Sequence, residues 1–335
     1  MKWFGRYVVV AFLLILSSAC GPTLVPAEPS TATPVEGESA ATEQAVTPIP
    51  DASDATALPV EGETPVPESD ALVAAVVNGE PIYLEDYERK LAQFEASLPA
   101  QGIDPNSEEG QSKIAWAREY ILNVMIEQVL TKQVAIETGL DVSEEELNAY
   151  MQDMIAENGG EEAFREKLAA WGETYEDARE EVYLELIGMK MSQQVVEAVP
   201  KVAEHVHARH ILVETREEAE RIHAQLEAGA DFAELARAYS ADPNTRETGG
   251  DLGFFPRGVL TAPQIEEAAF SLQPGQFSDV VESPLGYHIV QVVERDPNRE
   301  VSPENLRFLQ DKALEEWVEG LWAQASVQRF VETGS

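Results

Sequence analysis

His210 and His288 each sit inside a short apolar run, Ala208-Arg209-His210-Ile211-Leu212-Val213 and Gly286-Tyr287-His288-Ile289-Val290. Between the runs lie Asp242-Pro243-Asn244 and a glycine-rich turn, Gly249-Gly250-Asp251-Leu252-Gly253-Phe254-Phe255. A neutral imidazole donates through one ring nitrogen and accepts through the other, so two histidines on neighbouring strands can fix each other's tautomers. That arrangement suits a polar network beside a reacting group; two satisfied core histidines are the other reading of the same residues. Asp242 likewise has two readings, a carboxylate beside such a network or a turn residue before Pro243. His205 and His207 share one face of the first run by parity, yet no cysteine or carboxylate spacing accompanies them, so neither a metal site nor a cofactor is expected. No P-loop, dinucleotide fingerprint or Ser-His-Asp arrangement with supporting context occurs.

The elements that must position these residues follow from the pattern around them. From His205 to about Arg295 the chain alternates a strand, helices over Arg216 to Ala228 and Asp231 to Tyr239, the glycine-rich turn, a short helix over Gln264 to Leu272, and strands at Val280-Val281 and Gly286 to Val293. This is an α+β order. Before it, Val73 to Ile82 reads as a strand with an Asn78-Gly79 turn, and Leu84 to Val199 is helical. Ser143-Glu144-Glu145-Glu146 is a capping-box start, and Gly159-Gly160 breaks the pattern. After Asp296-Pro297-Asn298 the periodicity predicts helix to Val331, with Leu306, Leu309, Ala313, Leu314, Trp317, Leu321 and Ala325 on one stripe. One amphipathic helix cannot bury itself. It is expected to pack on the earlier helices and so make that domain discontinuous.

The ordered set of His210, Tyr239-Ser240-Ala241-Asp242, Gly249-Gly250-Asp251-Leu252-Gly253 and Gly286-Tyr287-His288 resembles a parvulin-type peptidyl-prolyl isomerase over about Val206 to Val293. The resemblance implies a four-stranded antiparallel sheet with helices, and a function of rotating the peptide bond before proline. The flanking Ala75-Val76-Val77-Asn78-Gly79, the Gly159 to Glu166 segment and the C-terminal helix resemble the chaperone domain of exported foldases of the PrsA and SurA kind. The expected organisation is a parvulin-type domain over 203–297 inserted into an all-helical chaperone domain over 71–202 and 298–332.

Isomerisation breaks no bond, but partial double-bond character sets a barrier of roughly 18–20 kcal/mol. Uncatalysed rotation is slow enough to limit folding. Each tenfold acceleration needs about 1.4 kcal/mol of selective stabilisation of the twisted amide. By resemblance, His210, Asp242 and His288 form the polar network, and Ser283 supplies a hydroxyl to His288. Leu252, Leu260, Ile265 and Phe270 are expected to grip the proline ring. Leu260 stands where the family commonly has methionine and Ile265 where it has phenylalanine; these departures bear on turnover. Glu214, where phosphate-preferring relatives place basic residues, argues against selection for phosphorylated substrates. The alternative to an isomerase is a non-catalytic holdase whose parvulin module only binds extended segments.

At the N-terminus, Lys2 and Arg6 precede the apolar run Tyr7 to Leu16, too short for a comfortable membrane span. Ser17-Ser18-Ala19-Cys20 resembles the bacterial lipobox, with Ser17 where leucine is usual, and implies a signal peptide over 1–20 and lipidation of Cys20. An ordinary secretory signal is the alternative. Cys20 is the chain's one cysteine, so no intramolecular disulfide can form. Residues 21–70 lack Lys, Arg and aromatics and are rich in Pro, Thr, Ala and Glu. That composition predicts a disordered tether spanning on the order of 40 Å. The net charge is −38, from 61 acidic and 23 basic residues, which excludes sequence-independent nucleic-acid binding. The expected partners are unfolded or partly folded exported polypeptides with X-Pro bonds, and a membrane through Cys20. The expected place is the outer face of a bacterial cell membrane.

Overall fold

The structure is a computed structural model that describes residues 72–332. The expected signal peptide, Cys20 and the tether lie outside the described residues. The chain divides into two compact units, one running up to Gln193 and resuming at Val318, the other Gln194–Trp317. Both boundaries of this division fall inside helices.

The first unit opens with β1 (Val73–Val77) and β2 (Glu80–Tyr83), followed by α1 (Leu84–Ser97), α2 (Glu108–Thr138), α3 (Glu144–Glu157), α4 (Glu161–Ala170) and the start of α5 (Tyr175–Ala198). Asn78 and Gly79 both take positive φ, 50° and 90°, as a two-residue hairpin turn requires. The capping box at Ser143 forms as expected: its hydroxyl accepts from Glu146 N–H, and the Glu146 side chain accepts from Ser143 N–H. Ser107 caps the 31-residue α2 by accepting from Gly110 N–H. The core joins Ala74, Val77 and Tyr87 to Leu122, Ile126 and Leu130 at helical spacing along α2.

The second unit follows as β3 (Val202–Val213), α6 (Arg216–Glu227), α7 (Phe232–Tyr239), β4 (Asp251–Pro256), α8 (Pro263–Ser271), β5 (Val281–Ser283), β6 (Gly286–Glu300) and most of α9 (Pro303–Gln324). Its sheet has the order β4-β3-β6-β5, antiparallel throughout. Alternation along β3 builds two cores. Ile211 and Val213 meet the apolar faces of α6 and α7, while Val206 and Ala208 meet α8 with Val290 and Val292 of β6.

Three expectations need correction. Helix does not continue to Val331: α9 ends at Gln324, and β7 (Val327–Arg329) pairs with β1 to complete a sheet ordered β2-β1-β7. The helical unit therefore also carries a three-stranded sheet. Pairing of Val327 opposite Val77 satisfies the second edge of β1 and packs Val327 on the core, a gain that local helical periodicity does not register. The glycine-rich segment is not wholly a turn, since Asp251–Pro256 forms β4. The final strand runs past Val293 to Glu300, because pairing with Val202 and Ala203 extends it.

Candidate functional site

His210 lies opposite Val290 on the β3–β6 pair, and His288 lies opposite Leu212. The two histidines are thus diagonal neighbours on the α8 face of the sheet. Their Nδ1 atoms are 3.3 Å apart, and the rings stack at 5.5 Å with 22° between planes. His288 is 1% exposed and His210 8%. Burial pushes the His288 imidazole down to about 4, and His210 beside it acts in the same sense against an opposing pull from Asp242. His288 is therefore neutral at ordinary pH.

The loop after α7 delivers Asp242. Beyond Arg209, β3 has no β4 partner, and the loop takes up its free groups. Leu212 N–H donates to the buried Ser240 hydroxyl, and Ala241 N–H donates to Leu212 C=O. This holds Asp242 Oδ2 at 2.8 Å from His210 Nε2. Thr245 donates its hydroxyl to the same oxygen at 2.5 Å, and Asn244 N–H donates to Oδ1 at 3.1 Å. Burial alone would raise the Asp242 carboxyl, but hydrogen bonds from Thr245, His210 and Asn244 outweigh it and hold the group below its ordinary range. Asp242 is a carboxylate that can only accept.

The direction of the whole network follows. His210 Nε2–H donates to Asp242, so in the neutral ring Nδ1 is bare and accepts from His288 Nδ1–H. His288 Nε2 is then bare and accepts from Ser283 Oγ at 2.8 Å, and Ser283 in turn accepts from Leu285 N–H. Every donor points one way, toward Asp242.

Beside this polar chain lies the apolar cluster. Leu252 and Leu260 are partly exposed, whereas Ile265 and Phe270 are buried at 3% and 5%. The structure brings all four together, with the leucines at the surface and the other two beneath them. Leu252 occupies a β-bulge, since Ala208 pairs with Gly253 and Arg209 with Asp251. Gly253 adopts φ +68°, a conformation that disfavours a side chain although there is open space for one. Gly250 serves a different need. It accepts from His210 N–H through its carbonyl, and a Cβ there would stand 2.1 Å from His210 O.

Ser240 and Thr245 are contributors the sequence reading did not assign. A hydroxyl three residues after Asp242 across a turn was the available signal for Thr245. The remaining histidines stay apart from the network: His205 Nδ1 meets Ala203 C=O, His207 Nε2 meets Asp251 Oδ1 at 2.7 Å, and His223 packs edge-on against Phe277. Among the described residues no group of three metal-ligating side chains converges.

Two family models match the chain. Residues 190–296 match the PPIC-type PPIASE domain, and residues 62–169 the SurA-like N-terminal domain. The Foldase protein PrsA of Caldanaerobacter subterraneus is 32% identical over 78% of this chain and 88% of its own length. That of Halalkalibacterium halodurans is 32% identical over 74% of this chain and 69% of its own length. A crystal structure of the peptidylprolyl isomerase PrsA from Bacillus anthracis is 28% identical and covers 61% of this chain and 95% of that one, at a TM-score of 0.37. The superposition is partial, and the assignment rests on the sequence relatives. By the extent and identity of those matches, this chain belongs to the PrsA foldase family and carries its PPIC-type peptidyl-prolyl isomerase domain.

Proposed function

We propose that the chain is an extracytoplasmic foldase that isomerises X-Pro bonds in exported proteins at the His288–His210–Asp242 network and holds non-native segments on its helical unit. The observation that carries the first part is the one-way hydrogen-bond chain ending on an ionised carboxylate beside an apolar cluster. In a planar amide, resonance places negative charge on the carbonyl oxygen. Twisting the C–N bond removes it. A fixed carboxylate next to that oxygen opposes the planar forms and relaxes at the twisted one, which is differential stabilisation without proton transfer. Leu252 and Leu260 are the side chains available to hold the proline ring, with Ile265 and Phe270 backing them.

The holding function has its own support. In the first unit, an apolar groove of about 620 Å³ is lined by Phe94, Leu98, Trp116, Tyr120, Met125 and Trp171. Trp116 is 58% exposed and stacks on Tyr120 at 4.6 Å. Broad aromatic faces and an adaptable methionine suit apolar segments of varied sequence. Lipidation of Cys20 with anchoring to the outer membrane face belongs to the same proposal, supported by the lipobox-like Ser17-Ser18-Ala19-Cys20. A Cys20→Ser variant is expected to lose fatty-acid label and to be released in soluble form.

The deciding experiment is a protease-coupled isomerisation assay on Ala-Xaa-Pro-Phe peptides. Activity above background that falls in His210→Ala and Asp242→Ala is expected; no activity at high enzyme concentration overturns the isomerase reading. A binding-only module is the second reading, favoured by the burial of Ile265 and Phe270, which leaves two leucines to face a ligand. It requires that the chain bind these peptides without any rate enhancement.

A further inference from the structure

The Asp242–His210 contact depends on a third group with no assigned role. We propose that Thr245 is a positioning residue for isomerisation, its hydroxyl holding Asp242 in place and fixing which nitrogen of His210 carries the proton. This rests on the site reading above.

The hydroxyl meets two partners at once. It donates to Asp242 Oδ2 at 2.5 Å, and its oxygen stands 3.1 Å from His210 Nε2. Its one hydrogen is committed to the carboxylate, so toward His210 it presents a lone pair. His210 Nε2 therefore faces two acceptors, Asp242 Oδ2 at 2.8 Å and Thr245 Oγ1, and no donor. That environment places the proton on Nε2 and leaves Nδ1 bare for His288. Without the hydroxyl, one acceptor disappears and Asp242 Oδ2 loses one of its two donors. The carboxylate is then held by His210 Nε2–H alone on that oxygen and by Asn244 N–H on the other, and is freer to turn about its side-chain bonds.

The loop does not need the hydroxyl to keep its shape. Arg246 N–H donates to Asp242 C=O at 3.0 Å, and Gly250 N–H donates to Thr245 C=O at 2.8 Å. Both bonds are backbone to backbone and survive any side-chain change at 245. The same Gly250 accepts from His210 N–H, so strand and loop stay joined. A purely architectural role for the hydroxyl would thus be redundant with bonds already present.

The test compares Thr245→Val, nearly isosteric without the hydroxyl, with Thr245→Ser, which retains it, in the protease-coupled assay on the full chain. Thr245→Val is expected to lower kcat/KM about tenfold, mainly in kcat, as befits one lost hydrogen bond to a charged group. Thr245→Ser should stay within about twofold of the parent. Ring ¹⁵N shifts of His210 should report the Nε2–H tautomer in the parent and Thr245→Ser, and a mixture in Thr245→Val. In an Asp242→Ala background, Thr245→Val should cost nothing further. If Thr245→Val unfolds, Thr245→Ala carries the same comparison. Parent-like activity and tautomer in Thr245→Val, with Asp242→Ala impaired, overturns the inference and leaves the site reading standing. Full activity in both His210→Ala and Asp242→Ala overturns the site reading itself.

Discussion

The two units hold their candidate binding surfaces by opposite means. In the isomerase unit, polar side chains from β3, β5, β6 and the loop after α7 are locked by at least two hydrogen bonds each, and His288 is 1% exposed. In the helical unit, the groove between α1 and α2 is wide and apolar, with an exposed Trp116. The contrast fits two tasks. Stabilising one twisted bond needs charges that do not reorganise, because a dipole that moves with its substrate favours ground and transition states alike. Holding unfolded segments needs area and tolerance, since hydrophobic contact is non-directional.

If that division holds, damage on one side should spare the other. Asp242→Ala is expected to lower kcat/KM for tetrapeptide isomerisation about 100-fold, the scale for losing one preorganised polar group, while leaving suppression of client aggregation unchanged. Gly250→Ala should combine the clash at His210 O with strain at φ +84°. It is expected to cost about 2–3 kcal/mol in denaturant unfolding of the isomerase unit. Trp116→Ala with Tyr120→Ala should raise the concentration needed to suppress aggregation about tenfold and leave tetrapeptide turnover intact. Loss of both activities in Asp242→Ala, or in the Trp116→Ala with Tyr120→Ala double variant, would break the comparison.

The smallest expected effect concerns pH. His288 is held neutral with its pKa lowered to about 4, below the unfolded value near 6.5. Between those values the unfolded chain binds more protons than the folded one, so this histidine lowers stability as pH falls through 6.5 toward 4. From about pH 8 to about pH 6 its share is about 1 kcal/mol. His288→Gln should remove that share, giving a shallower loss of urea midpoint over the same range. Parallel pH profiles for the two proteins would mean His288 is not buried neutral.

Much of the fold was legible because local rules and tertiary contacts agreed. The Asn78-Gly79 hairpin, the Ser143 capping box and helices α6 and α7 lie where turn chemistry and periodicity put them. Disagreement came where a distant partner outweighed local pattern. Val327 to Arg329 has helical neighbours but pairs with β1, and Asp251 to Pro256 follows the Gly249-Gly250 turn yet pairs with β3. Within the site, His210, His288, Asp242 and Ser283 were identifiable from their motifs. Thr245 and Ser240 lay in or beside the same motif but received no role, because a hydroxyl's position in sequence does not say which group it will meet.

The amino-acid order by itself determined the two histidine strands, the carboxylate in the turn and the acidic charge, since these depend on residue type and alternation. Only the tertiary structure decided the direction of the hydrogen bonds. Which nitrogen of His210 carries the proton depends on where Asp242 Oδ2 and Thr245 Oγ1 stand, within 2.8 and 3.1 Å of it. Those distances are set by the loop's attachment to Leu212 and by the close approach of Gly250 to His210. Hydrogen bonding falls away within a fraction of an ångström, a resolution that spacing along a chain does not carry.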